Sequence, residues 1–181
     1  MRKKKALVLL LIILLICAGL VFWFLKNKNN SYNNIMQIES LEFKNGSEIP
    51  SKFTCDGAGI NPKLIIKNIP KEAKSLALIV DDPDAPNGTW DHWVVWNISP
   101  EITEISENSI PSGAVVGKNS WPQNEYGAPC PPSGSHRYYF KIFALDSMLD
   151  LSQNSGSQEL SNAMQSHILD RSELMGRYER K

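Results

Sequence analysis

Hydrophobic residues are distributed along this chain in one long run and several short ones. The long run covers residues 6–25 and contains neither a charged residue nor a proline. A helix rises 1.5 Å per residue, so about 20 residues span the ~30 Å hydrocarbon core of a bilayer. Trp23 lies near the distal end, where an indole suits the membrane interface. The pattern therefore predicts one transmembrane helix over residues 6–25.

A cleaved signal peptide is the main alternative for this run, because it has the same basic start. Such a peptide has a shorter apolar region and small residues before the cleavage site, whereas Phe22, Trp23 and Phe24 are bulky. Cys17 raises the alternative of a lipoprotein signal, but the preceding Ile16 is larger than the residue such a signal favours. We expect an uncleaved signal anchor, and a secreted or periplasmic cleaved form is the alternative.

The other hydrophobic segments are short and rich in β-branched and aromatic residues, which is typical of strands. In the last of them, strict alternation places Tyr138, Phe140 and Ile142 on one face. One helix is predicted near Gln158–Leu169, with Ser157 available as its N-cap. This pattern favours a mainly β domain that buries its strands in a sandwich. Strands are predicted over Gln37–Phe43, Leu64–Ile66, Leu76–Val80, Trp93–Ile98 and Tyr138–Leu145.

Charge is divided unevenly between two parts of the chain. The 19 basic and 19 acidic residues cancel, but the first 34 residues hold six of the bases and none of the acids. The remaining domain is therefore acidic, which argues against nucleic-acid binding because that function needs a basic face. Basic residues before the apolar run favour a cytoplasmic N-terminus and a domain outside the cytoplasm. The predicted organisation is a basic tail over 1–5, the anchor over 6–25, a flexible linker over 26–35 and one domain over 36–181.

Candidate chemistry is concentrated in three places within the domain. Asp81, Asp82 and Asp84 follow a predicted buried strand, where mutual repulsion would perturb at least one pKa unless they form an acidic turn. His92 and His136 could each be a functional group or an ordinary packed histidine. A metal site is not favoured, because the chain has neither a helical histidine pair nor a CxxC motif.

Nucleophilic catalysis has little support in the sequence. There is no G-x-S-x-G motif and no glycine-rich phosphate loop before a helix. Cys130 lies near His136 in the Gly/Pro-rich segment 113–135, so a thiol nucleophile is a formal alternative. A structural role is also open, because Cys55 and Cys130 form an even pair in a domain expected outside the cytoplasm. A disulfide between them would stabilise the fold by about 4 kcal/mol if their Cα atoms come within reach.

Taken together and in this order, the motifs DDPDAP, HW, PCPPSG and HRY resemble the phosphatidylethanolamine-binding protein family, in particular its bacterial Raf-kinase-inhibitor-like branch. The resemblance extends from about Ile38 to Arg180. It includes FTCDG at 53–57, DHWVVWNI at 91–98 and LMGRYER at 174–180. It implies an antiparallel β-sandwich with few peripheral helices.

The resemblance also implies a small pocket for phosphate, phospholipid head groups or similar anions. The matching ligand-binding positions are Asp82, Asp84, His92, His136 and Tyr138, and the segment from Gly127 to Pro132 would form a rim that supplies backbone N–H groups. Affinity should change between about pH 5 and 8 as the histidines titrate.

We therefore expect a membrane-tethered, non-catalytic binding protein that needs no cofactor or metal and binds no nucleic acid. An inhibitor or regulator of a protease or kinase, acting through its loops, is the alternative. An esterase-like enzyme using Asp82, His92 and His136 is a third hypothesis.

Overall fold

The computed structural model describes residues 14–25 and 35–181. The chain divides into two units, Met1–Ile35 and Met36–Lys181. In the first unit, residues 14–25 form a helix, α1, whose side chains are all exposed.

The prediction of a transmembrane helix over residues 6–25 is wrong for the part of it that the structure describes. Among the described residues, no helix has both the length and the apolar character needed to cross a bilayer. The predicted localisation as a single-pass membrane protein is corrected with it. The tail 1–5, residues 6–13 and linker residues 26–34 lie outside the described residues.

The second unit contains eight strands, a 3₁₀ turn and a helix. The turn spans Ser51–Phe53, and the helix, α2, spans Ser157–Met164. Every pairing between strands is antiparallel. The strands are β1 Gln37–Glu39, β2 Leu64–Lys67, β3 Ser75–Asp82, β4 Trp90–Ile98, β5 Glu104–Ile105, β6 Val115–Val116, β7 His136–Leu145 and β8 Ile168–Tyr178.

The strands form two sheets that share one core. A three-stranded sheet has the order β1-β2-β5, and a five-stranded sheet has the order β6-β4-β3-β7-β8. Leu64 and Ile66 of the small sheet are buried in the same apolar cluster as Leu78 and Phe140 of the large one. Side chains in β7 alternate between buried and half-buried positions, with Tyr138 on the core side. The prediction of a mainly β, two-sheet domain is confirmed.

The predicted helix over Gln158–Leu169 is only partly correct. The observed α2 ends at Met164, and Ile168 already belongs to β8, which pairs with β7 along most of its length. Pairing with a long neighbouring strand overrides the local helical pattern. At the other end, Gly156 is the N-cap instead of Ser157, and its backbone N–H donates to Glu159 Oε2 at 2.9 Å.

The central strands bring distant motifs together at one end of the large sheet. β3 lies between β4 and β7, with Asp82 opposite Trp90 and Asp81 opposite Tyr139. The turn over residues 83–88 follows β3, contains Asp84 and is called the aspartate turn below. This turn, the start of β4 and the start of β7 therefore converge.

Candidate functional site

A cavity of about 180 Å³ lies where β3 ends and β4 and β7 begin. Its walls contain five of the seven ligand-binding residues predicted from the sequence: Asp82, His92, Pro132, His136 and Tyr138. The other two, Asp84 and Gly127, do not line the cavity but hold residues that do. Most of the predicted set is thus brought together in space.

Asp82 holds the His136 ring in place. The ring Nδ1 lies 2.7 Å from Asp82 Oδ2, and the backbone N–H of Asp84 donates to Asp82 Oδ1 at 2.8 Å. Asp82 and His136 are both buried, at 3% and 7% exposure. Each carboxylate oxygen is therefore satisfied within the protein, and the ring can donate from Nδ1 while its Nε2 remains for another partner.

Asp84 fastens the aspartate turn to β7. The Arg137 guanidinium donates to Asp84 from Nη2 at 2.6 Å and from Nε at 2.8 Å, and the Arg137 backbone N–H donates to the same carboxylate at 2.9 Å. These bonds lower the pKa of Asp84 to about 2 and raise the pKa of Arg137. Both groups stay charged, so Asp84 positions the site instead of contacting the cavity.

His92 is held by a reciprocal pair of hydrogen bonds with Gly127. The His92 Nδ1 lies 2.7 Å from the Gly127 carbonyl oxygen, and the Gly127 N–H donates to the His92 carbonyl oxygen at 2.7 Å. Burial lowers the pKa of His92, which favours the neutral ring. A neutral ring that donates from Nδ1 has an acceptor at Nε2.

Gly127 also makes room for an indole. A β-carbon at position 127 would lie 2.3 Å from Cζ3 of Trp121, so only glycine allows this close contact. Because the Gly127 N–H is already bonded to His92, it is not one of the rim N–H groups expected to meet a ligand.

Tyr138 has a buried hydroxyl with no hydrogen-bond partner in the described part of the chain. Burial raises the pKa of Tyr138, so the group stays protonated and can donate. The Cys130 backbone N–H and the Asp82 carboxylate lie close enough to influence the pKa of Tyr138 as weak hydrogen-bonding neighbours, but neither reaches the geometry of a hydrogen bond with the hydroxyl. A buried polar atom without a partner is unusual in a folded protein and commonly marks an absent water or ligand.

Sequence reasoning missed half of the cavity wall. The Trp121 ring packs edge-on against Trp90 and His92, with centroid distances of 5.3 and 5.2 Å. The order of motifs marked the polar residues but carried no signal for these indoles. The missed lining residues are Ala85, Pro86, Asn87, Trp90 and Trp121, whereas Cys130 falls within the predicted rim.

A disulfide joins Cys55 to Cys130, with the Cα atoms 5.4 Å apart. The two cysteines are therefore close enough to form the bond, which the sequence had left open. Because Cys130 is bonded, it is not available as a thiol nucleophile. Because Cys130 lines the cavity, the bond ties the cavity wall to the segment after the 3₁₀ turn.

The third aspartate of the cluster belongs to the other face of the sheet. Asp81 accepts a hydrogen bond from Lys141 Nζ at 2.5 Å, and burial raises the pKa of Asp81. Within residues 14–25 and 35–181, no group of three or more His, Cys, Asp or Glu side chains could hold a metal ion.

Comparison with known proteins places this architecture in a described group. A family model for phosphatidylethanolamine-binding protein matches residues 39–179. A UPF0098 protein of Methanothermobacter thermautotrophicus is 45% identical over 150 residues, which are 80% of this chain and 99% of that protein. A UPF0098 protein of Chlamydia muridarum is 46% identical over 149 residues, with the same two shares.

Solved structures agree with these relatives. A crystal structure from Chlamydia trachomatis, described as a phosphatidylethanolamine-binding protein homologue, has a TM-score of 0.79 and 43% identity, covering 82% of this chain and 99% of that one. The structure of Escherichia coli YbcL, described as a member of the mammalian family, has a TM-score of 0.76 and 30% identity, covering 81% and 99%. The chain therefore belongs to the phosphatidylethanolamine-binding protein family.

Proposed function

We propose that this chain binds small phosphate-type anions, free or as the head group of a larger molecule, in the cavity between β3, β4 and β7. The observation that carries the proposal is the Tyr138 hydroxyl, which is buried in the cavity wall and has no hydrogen-bond partner among residues 14–25 and 35–181. A phosphate oxygen would accept its hydrogen bond and remove the desolvation penalty of the orphaned group.

Three further features support an anion as the occupant. The His136 Nε2 supplies a second donor when the ring is protonated, and the Cys130 backbone N–H lies beside Tyr138. The His92 ring is neutral, and its Nε2 has no hydrogen-bond partner in the part of the chain that the structure describes, so it suits a ligand that itself carries an O–H, such as a protonated phosphate. The Asp82 charge lies close by, so we expect weak binding.

The indoles and prolines of the wall favour a ligand with an organic substituent. Trp90, Trp121, Pro86 and Pro132 form an apolar part of the same wall. A phosphorylated head group would place its phosphate at the polar end and its substituent against these rings. That the chain catalyses no reaction remains a prediction, as does the alternative of an inhibitor acting through its loops.

Titration calorimetry with inorganic phosphate and with phosphoethanolamine tests the proposal and separates the two sources of phosphate. We expect Tyr138→Phe to weaken binding of both by about tenfold, since it removes one hydrogen bond to an ion. The matched control is Tyr139→Phe. Tyr139 lies next in the same strand on the opposite face, where its hydroxyl accepts from Arg137 Nη1 at 3.5 Å. Equal affinities for Tyr138→Phe and the unaltered chain would overturn the assignment.

A further inference from the structure

Two Asn-Gly pairs occur in the domain, Asn45–Gly46 and Asn87–Gly88. In such a pair the glycine nitrogen can approach the asparagine side-chain carbonyl, because glycine has no β-carbon and accepts many backbone conformations. All four residues are exposed. Exposure therefore does not distinguish the two pairs, but the hydrogen bonds around them do.

Hydrogen bonds to β8 lock both reacting groups of the first pair. Asn45 Oδ1 accepts from the Met175 backbone N–H at 2.9 Å, and the Gly46 N–H donates to the Met175 carbonyl oxygen at 2.7 Å. Moving the Gly46 nitrogen toward the Asn45 side chain would break both bonds.

The second pair has no comparable restraint. The Asn87 side chain makes no hydrogen bond with the described residues, and the Gly88 N–H donates only to Ala85 O, three residues away, at 3.2 Å. Gly88 has a φ of 101°, and a β-carbon placed on it would meet nothing within 4 Å. The turn is open, so a change in its backbone meets no steric barrier.

We propose that Asn87–Gly88 is a site of spontaneous deamidation that changes the charge of the anion cavity. The Gly88 nitrogen loses its proton and attacks Asn87 Cγ; the bond from Cγ to Nδ2 then breaks, and the side-chain nitrogen leaves as ammonia. The resulting succinimide is opened by water at either carbonyl, which yields aspartate or isoaspartate at position 87. The sum is one amide plus one water giving one acid and one ammonia, with no oxidation or reduction.

The consequence for binding rests on the proposed function. Asn87 lines the same cavity as Asp82, His136 and Tyr138. Deamidation replaces a neutral group that has two N–H donors with a carboxylate that can only accept. At a partly solvated site, a like charge several ångströms from the anion should weaken binding by about fivefold.

The experiment incubates the full chain at mildly alkaline pH in water enriched in oxygen-18, followed by peptide mapping with mass spectrometry. We expect label and the amide-to-acid mass change to accumulate at residue 87 well ahead of residue 45. Asn45 is thus an internal control with the same dipeptide and similar exposure. Equal or faster conversion at residue 45 would overturn the proposed modification site.

Two variants measure the consequence for the cavity. We expect Asn87→Asp to bind inorganic phosphate about fivefold more weakly than the unaltered chain, and Asn87→Gln to resist conversion during incubation. Gln153→Glu adds the same charge at an exposed position outside the cavity and should leave affinity unchanged. Unchanged affinity in Asn87→Asp would overturn the link to the cavity. If the unaltered chain bound no phosphate, the proposed function would fail, while the relative rates at 87 and 45 would still decide the modification.

Discussion

The Nδ1 atom of His136 lies 2.7 Å from Oδ2 of Asp82, where β7 begins and β3 ends. A carboxylate beside an anion site opposes the anion by its charge but helps it by orienting a donor. The second effect should prevail here, because both oxygens of Asp82 are already satisfied by His136 and by the Asp84 N–H.

We therefore expect Asp82→Asn to weaken inorganic phosphate binding by about tenfold in calorimetry, because the ring loses its charged acceptor. Asp146→Asn is the matched control. Asp146 Oδ1 lies 2.7 Å from His167 Nδ1, the same distance as in the Asp82–His136 pair, but the two side chains are exposed, His167 to 41% and Asp146 to 49%. Tighter binding by Asp82→Asn would show instead that repulsion by the carboxylate dominates.

Tyr138→Phe should stabilise the ligand-free domain by about 1 kcal/mol while it weakens ligand binding. The substitution removes a buried hydroxyl that has no partner among the described residues, and so removes its desolvation penalty. Urea unfolding without phosphate measures the change, and Tyr139→Phe should stay within about 0.5 kcal/mol of the unaltered chain. A loss of stability in Tyr138→Phe would mean that the hydroxyl is satisfied within the protein.

Acid should weaken the attachment of the aspartate turn to β7. The pKa of Asp84 is about 2 in the folded chain, against about 3.9 for an ordinary aspartate, so the unfolded state takes up a proton first as pH falls. The stabilisation is present above about pH 4 and is lost towards about pH 2; it amounts to about 1 kcal/mol after allowance for solvent screening.

Urea unfolding over this pH range, with Asp84→Asn as the reference variant, measures that contribution. The difference between the two chains should be constant from neutral pH to about pH 4 and vanish near pH 2. A difference that does not change with pH would assign the effect to packing and not to the charge of Asp84.

Reduction of the Cys55–Cys130 disulfide should cost about 4 kcal/mol of stability, because the bond restricts a long loop in the unfolded chain. Urea unfolding with and without a thiol reductant measures the loss, and the Cys55→Ser, Cys130→Ser double variant should match the reduced chain. Cys17→Ser controls for the remaining free cysteine. A midpoint that does not move on reduction would contradict the expectation.

The strands that carry the core could be predicted because each shows its own local pattern. Segments such as Leu76–Val80 are continuously apolar, and side chains in β7 alternate from His136 to Ala144. β8 could not be found in this way, since most of its first six residues are exposed and only Leu174, Gly176 and Tyr178 are buried. β8 forms because it pairs with β7, and the local pattern of hydrophobic residues does not predict that pairing.

The members of the site could be predicted better than their roles. Motif order identified His92, His136 and Tyr138. The placement of Asp81 and Asp82 on opposite faces of the sheet could also have been predicted, from the alternation of side chains along a strand. Successive residues of a strand point to opposite faces, so only one of the two could join the cavity. The role of Asp84 depends on Arg137, 53 residues away, and the role of Gly127 depends on Trp121, six residues before it; the sequence carried no signal of either contact.

The contact between Trp121 and Gly127 gives the cavity a spectroscopic property. The indole is 40% exposed and lies edge-on to the His92 ring, inside the wall that an anion would approach. Indole emission depends on the polarity of its surroundings, and nearby imidazoles and other indoles alter its yield. A molecule entering this wall therefore changes the light emitted by the protein itself, so occupancy can be followed without a dye.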